Sequence, residues 1–299
     1  MNRLFIMVIG AMLLQACLPS KQTPASSASQ FSFAFLTDLH IQPERHAAQG
    51  VLQAIDTINQ LNPDFVITGG DLIMDALGQQ YSRADSLYSL YKETMKNLRA
   101  PLYNTIGNHE LYGLYISSGA DTAHPEFGKK MFEKRLSKTY YSFNHKGWHF
   151  VVLDAIGTTP DRQYYGLIDD VQLKWLEADL EANKELPTVV SMHIPLYTLS
   201  LQINESYAAP ISRSEVVTNS RAVREILEKY KVKMVLQGHE HFLEDLYYNG
   251  IHYVTGGAVC SAWWTGPNHG LEEGFLLLTV KGEDISWKYI DYGWNAVKE

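Results

Sequence analysis

A chain of 299 residues, 45% hydrophobic and 19% charged, has the composition of a globular protein with enough material for a sizeable core. Its formal net charge is −8 and it holds no block of basic residues, which excludes a nucleic-acid polymer as the expected partner, because such binding rests on neutralising phosphates.

Residues 1–16, "MNRLFIMVIGAMLLQA", read as a processing signal: Arg3 precedes eleven apolar residues, Leu4 to Leu14, fewer than the about 20 needed to span a bilayer. Leu14, Gln15, Ala16 and Cys17 resemble a bacterial lipobox, in which the cysteine is lipidated after cleavage; an ordinary secretory signal with an incidental cysteine is the alternative. Residues 17–30 are small, polar and proline-bearing, as suits a flexible tether. The expectation is a lipoprotein of the bacterial cell envelope, facing the periplasm or set in the outer membrane, that meets the membrane through its lipid anchor only. Lipidation of Cys17 leaves Cys260 alone, so no disulfide framework is expected.

Residues 31–299 read as one domain. "FSFAFLTD" is a strand; Val51, Ile55, Ile58 and Leu61 recur at helical spacing within residues 44–61. "DFVITGGD" is a second strand, residues 79–98 a second helix with Leu87, Leu90, Tyr91 and Leu98 on one stripe, and "PLYNTIGN" a third strand. This β-α-β-α-β order favours parallel pairing with crossover helices. "TYYSFNHKGWHFVVLDA" predicts a hairpin turning between Asn144 and Gly147. Residues 169–182 predict a helix opened by a capping box of Asp169 and Gln172. "TVVSMHIP" is a strand, residues 219–230 a helix, and "KMVLQGHEH" a strand and loop. "LYYNGIHYVTGGA" and "GFLLLTVKGEDISWKYIDY" predict an antiparallel meander.

Five of these strands end in polar displays: Asp38 and His40; Gly70 and Asp71; Gly107, Asn108, His109 and Glu110; His193; and Gly238, His239 and His241. In open α/β sheets ligands gather outside the carboxyl ends of the strands, so the five should converge. Asp, Asn and His offer oxygen and nitrogen donors suited to manganese, iron or zinc. Asp38 and His40, like His239 and His241, are two apart, and in extended backbone such pairs face one way. The glycines before Asp71, Asn108 and His239 are expected to supply the tight bends that aim the next side chain. Unpaired polar groups at strand ends are costly, which sets the joint pattern apart from packing.

The ordered set Asp38-x-His40, Gly70-Asp71, Gly107-Asn108-His109-Glu110, His193 and Gly238-His239-x-His241 resembles the motifs of the calcineurin-like metallophosphoesterases over roughly residues 31–290. The resemblance implies an α/β fold, a four-layer α-β-β-α sandwich of two mixed sheets flanked by helices, with two divalent or trivalent ions. It implies that Asp38, His40 and His241 hold one ion, Asn108, His193 and His239 the other, and that Asp71 bridges them, while His109 is no ligand and faces the substrate as proton donor or phosphate stabiliser. Two divalent ions against two carboxylates leave a charge near +2, which favours an anionic phosphoester and a metal-bound hydroxide as in-line nucleophile. The implied activity is phosphoester hydrolysis of a small molecule, as a phosphatase or phosphodiesterase. Alternatives are a cyclic-nucleotide or nucleotide-diphosphate substrate of the ADP-ribose or CDP-alcohol type, and, further off, a metal-binding lipoprotein without turnover.

Departures narrow the branch. Protein Ser/Thr phosphatases carry an acidic partner for the catalytic histidine where this chain has Met74, with Asp75 one place on; purple acid phosphatases carry a tyrosine ligand at that place. "YYGLIDDVQLKWLEADL" resembles the bacterial cyclic-nucleotide phosphodiesterase-type and manganese-dependent nucleotide-diphosphate hydrolase branches. Tyr112, Tyr197, Trp263, Trp264 and His269 are candidate substrate contacts, able to stack on a base or cover an apolar leaving group, though Trp263 and Trp264 could equally pack a sheet edge. His46, His124, His145, His149 and His252 have no motif context and read as surface or packing residues.

Overall fold

The computed structural model describes residues 30–297; the signal-like segment, Cys17 and the tether up to residue 29 lie outside the described residues. Strand β1 (Gln30–Leu36) turns Phe31, Phe33 and Phe35 to one core and Ala34 and Leu36 to another, the period-2 consequence of its pleat. Helix α1 (Ala47–Leu61) leads to β2 (Phe65–Thr68), parallel to β1, and α2 (Tyr81–Met95) leads to the short β3 (Leu102–Tyr103), parallel to β2. Both helices are shorter than their sequence spacing predicts. Arg45 and His46 adopt left-handed backbone just before α1, and after Met95 the chain tightens into three i→i+3 turns ending at Leu98.

Helix α3 (Lys130–Arg135) precedes the hairpin of β4 (Tyr141–His145) and β5 (Trp148–Val152). Its turn is only Lys146 and Gly147, both at positive φ, which suits the twist of a two-residue connection. A small ribbon of β6 (Ile156–Thr158) and β7 (Tyr164–Gly166) leads to α4 (Asp170–Ala182). Asp169 caps α4 by accepting the Gln172 N–H at 2.8 Å, but the Gln172 side chain does not close the expected box. It pairs instead with both backbone groups of Asp154, tying the helix to the end of β5.

The chain continues through β8 (Thr188–Ser191), α5 (Ser200–Asn204), α6 (Ser220–Leu227), β9 (Val232–Gln237), β10 (Leu243–Tyr248), β11 (Ile251–Gly256), β12 (Gly274–Lys281) and β13 (Asp284–Asp291). The expected terminal meander is divided between two sheets. β10 and β11 join the second sheet, ordered β10-β11-β9-β8-β5-β4, whereas β12 and β13 cross back to the first, ordered β13-β12-β1-β2-β3. The crossing segment, residues 257–273, carries Trp263 past the carboxyl ends of the strands.

The two mixed sheets pack through an aromatic layer. Phe33 stacks on Phe65 at 5.0 Å and meets Phe150 edge-on at 5.3 Å, with Leu236, Val254, Leu276 and Leu278 filling the remainder. Helices supply the outer layers: Val51, Ile55 and Ile58 of α1, Leu87 and Tyr91 of α2, Leu176 and Leu180 of α4, and Val223 and Leu227 of α6 are all buried. The architecture is the expected α/β sandwich.

Candidate metal centre

Asp38 and His40 follow β1, Asp71 follows β2, His193 follows β8, and His239 and His241 follow β9, all at carboxyl ends of parallel strands. Asn108, His109 and Glu110 form one 3₁₀ turn after β3. The pairs two apart converge without extended backbone. Asp38, His40, Asp71, His239 and His241 all sit at positive φ, between 41° and 75°, in the left-handed region that Asp, Asn and His enter more readily than other residues.

The three motif glycines serve different ends. Gly70 supplies a bend at φ 91°, and a Cβ there would lie 2.6 Å from the His193 ring. Gly107 is in extended backbone that any residue can adopt; its place is fixed by a Cβ that would stand 2.2 Å from Asp71 Oδ1. Gly238 is likewise a matter of close approach, to Thr37 Oγ1 at 2.0 Å.

These loops bring seven side chains to two adjoining clusters. In the first, His40 Nε2 lies 3.7 Å from Asp38 Oδ1 and 3.1 Å from His241 Nε2, with His241 Nε2 3.4 Å from Asp38 Oδ1. In the second, His193 Nε2 lies 3.0 Å from Asn108 Oδ1 and 3.2 Å from His239 Nδ1. One oxygen, Asp71 Oδ2, touches both: it stands 3.6 Å from His40 Nε2 and 3.1 Å from His193 Nε2. Ligands about 2.1 Å from one ion at tetrahedral or octahedral angles stand roughly 3.0–3.5 Å apart. The donors therefore show the spacing that an ion sets, and their facing atoms are lone-pair bearing oxygens and imidazole nitrogens, as an ion needs. The residues fit a metal.

Backbone carbonyls fix two of the rings. His193 Nδ1 donates to Gly69 O at 2.7 Å and His241 Nδ1 to Ser261 O at 2.7 Å, which leaves both Nε2 atoms turned inward. Thr37 Oγ1 donates to Asp38 Oδ2 at 2.5 Å. His40 Nδ1 is buried and has no hydrogen-bond partner among the described residues. Burial opposes charge on Asp38, but His241 and His40 hold it well below the usual carboxylate range; His193 and His109 do the same for Asp71. Burial pushes His40 down to about 4 and His239 down to about 3, so both present neutral rings. Burial also acts against charge on His193, yet the Asp71 carboxylate prevails and lifts it to about 9. That proton leaves whenever the ring ligates an ion, because ligand histidines are neutral.

His109 stands apart from the buried set, its side chain 18% exposed with Nε2 3.7 Å from Asp71 Oδ2. Its Nδ1 bonds to the backbone carbonyl of Met74, and Asp75 Oδ1 lies 4.0 Å away. A carbonyl thus orients the ring where other branches use an acidic side chain. Glu110, named in the sequence motif but given no role there, is the organiser of the site. Its Oε2 accepts Gly107 N at 2.7 Å and Asp71 N at 3.0 Å, and its Oε1 accepts Leu72 N at 2.8 Å and Ile73 N at 3.2 Å. Burial and the charge of Asp71 push this carboxyl up to about 8, but every neighbour of its oxygens is a donor and none can accept a carboxyl proton; it sits as a carboxylate. Only the run "GNHE" signals it.

Of the candidate substrate contacts, Trp263 lies at the centre: its ring is 4.1 Å from that of His40, 4.8 Å from His241 and 5.7 Å from His109. Trp264 is buried, donating to Leu39 O and His40 O, and supports the first cluster from behind. Tyr112 is buried against Tyr81 and His124, Tyr197 packs on Tyr253 and Arg224, and His269 is exposed in the crossing segment. Tyr115, Tyr164 and Asp75, not singled out as substrate contacts, line the cleft beside His109 together with Trp263.

Comparison with known proteins agrees with this geometry. The sequence model described as calcineurin-like phosphoesterase matches residues 31–243. A probable cyclic nucleotide phosphodiesterase of Xenorhabdus bovienii is 25% identical over 247 residues, covering 78% of this chain and 87% of its own. A glycerophosphodiester phosphodiesterase of Enterobacter lignolyticus is 24% identical, covering 70% of each chain. Among solved structures, a dimetal phosphatase from Danio rerio superposes with a TM-score of 0.60 at 15% identity, covering 88% of this chain and 99% of that one; it shows the shared fold.

Proposed function

The chain belongs to the calcineurin-like phosphoesterase family and is a metal-dependent phosphoester hydrolase, and we propose that it works with two ions on small phosphodiesters. Asp38, His40 and His241 would hold one ion and Asn108, His193 and His239 the other, with Asp71 between them. The observation that carries this reading is the single oxygen Asp71 Oδ2, placed 3.6 Å from one cluster's His40 and 3.1 Å from the other's His193. When bound, the ions would supply Lewis acidity toward the phosphoryl group and toward water.

The chain's own groups do the rest. Asn108 contributes an oxygen without charge, so only two carboxylates, Asp38 and Asp71, offset the cations and the site keeps an attraction for a phosphate anion. Met74 O holds the proton of His109 at Nδ1 and leaves Nε2 facing the site. A proton carried on Nε2 passes to the departing alkoxide as water adds to phosphorus and the phosphorus–oxygen ester bond breaks, and the proton that the added water gives up restores the one lost from Nε2. The products are an alcohol and a phosphomonoester.

Two relatives carrying phosphodiesterase names support the diester over the monoester. Full-length protein reconstituted with manganese, iron or zinc and offered p-nitrophenyl phosphate and its bis-ester tests the reading. Faster turnover of the bis-ester, abolished by chelation, is expected; turnover of neither ester with any ion overturns it. For the N-terminal segment we propose lipidation at Cys17 and a place in the cell envelope, on the strength of the lipobox-like residues 14–17.

A further inference from the structure

A second cavity, of about 720 Å³, is lined by the crossing segment, residues 294–297 and Arg45, and shares no lining residue with the cleft beside His109. One wall is Trp264, whose ring packs so closely on α1 that a Cβ on Gly50 would lie 2.1 Å from it. Trp294 meets Trp264 edge-on at 5.9 Å, and Pro267, Ala296 and Val297 extend the apolar side. Arg45, Glu272 and Glu273 supply the charge.

Two polar groups in this wall lack what burial demands. Glu273 is only 1% exposed, yet its Oε1 has no hydrogen-bond partner among the described residues. The Nε1 of Trp294 is buried and likewise unpartnered among them, although Trp264 beside it donates to both Leu39 O and His40 O. Buried polar atoms without partners are few in folded proteins, and each costs free energy. An acceptor and a donor left open in one cavity therefore mark a place where a ligand supplies both. Burial and the neighbouring carboxylates of Glu272 and Asp291 push the Glu273 carboxyl above its ordinary range, a penalty that a cation beside it removes. Arg45 spends only Nη1 on a described residue, at 2.9 Å to Trp263 O.

The complement of these groups is an ammonium for the carboxylates, an anion for Arg45 and the Trp294 N–H, and an apolar body for the two indole rings. A bare metal ion would leave Arg45 and the Trp294 N–H unanswered, and a phosphate would meet two carboxylates. We propose that this cavity binds a free α-amino acid with an apolar side chain, as its zwitterion. The ammonium pairs with Glu273 Oε1, the carboxylate accepts from Trp294 Nε1 and Arg45, and the side chain lies on Trp264. The site goes beyond the phosphodiesterase reading and does not depend on it.

Calorimetric titration of the metal-reconstituted full chain tests this with three related probes: L-leucine, 3-methylbutylamine, which lacks the carboxylate, and 4-methylpentanoate, which lacks the ammonium. L-leucine should bind at a single site per chain, at least about tenfold more tightly than either analogue, since each deletion leaves a charged partner unpaired. Glu273→Gln and Trp294→Phe should each weaken leucine binding about tenfold. Bound metal per chain should stay at the wild-type level in both, because neither residue belongs to the metal clusters. No binding of leucine at millimolar concentration, an analogue that binds as tightly as leucine, or an affinity that either substitution leaves unmoved overturns the proposal. Should a variant fail to fold, seen as loss of its metal, the three-probe comparison on the wild-type protein decides alone.

Discussion

Glu110 carries more of this site than any candidate ligand does, although it would touch no ion. Its two oxygens accept four backbone N–H groups from the Asp71 and Asn108 loops, and no other group could satisfy so many buried donors at once. Glu110→Gln swaps one oxygen for an NH₂ that faces two N–H donors. It should cost about 2–4 kcal/mol of stability, measured by urea unfolding, and reduce bound metal per chain. His109→Ala acts differently. It removes an 18% exposed ring outside the buried set, so metal content should hold while kcat falls by about 10²–10⁴-fold. Equal loss of metal in both variants would contradict the separation of roles. The motif residues could be read from the sequence because each follows a strand and breaks its apolar pattern. The role of Glu110 could not, although the residue stands in the same motif, because that role is a set of bonds to backbone amides, and backbone amides have no signature of residue type.

At the scale of elements, the strands place the site and the aromatic layer between the sheets holds the strands. Phe33 is fully buried between Phe65 and Phe150, so Phe33→Ala should cost about 3–5 kcal/mol. It lies well before Asp38 on β1, so the loss should appear in thermal unfolding, with metal stoichiometry at low temperature unchanged. The crossovers β1-α1-β2-α2-β3 and the β4–β5 hairpin were legible because hydrophobic period and turn residues act locally. The partition of β10 to β13 between two sheets was not. Both hairpins read as antiparallel from their own residues, and which sheet each joins depends on pairing with β9 and β1, far away in the chain. That partition places residues 257–273, and so Trp263, over the first cluster.

For the molecule as a whole, the ordered motifs spoke for the superfamily chemistry while the cleft that would choose a substrate stayed dark. Asp75, Tyr115, Tyr164 and Trp263 come from four separate segments, and only folding makes them neighbours. The proposed anchoring is independent of that chemistry. Cells expressing the full chain should incorporate radiolabelled palmitate into it and lose the label in Cys17→Ser; labelling that survives the substitution would contradict the lipobox reading. The central claim is that two ions share Asp71. Electron paramagnetic resonance of the protein reconstituted with two equivalents of manganese tests it most directly. An exchange-coupled multiline signal, replaced by uncoupled manganese in Asp71→Ala, is the predicted result; isolated, uncoupled manganese in the wild-type protein would contradict it.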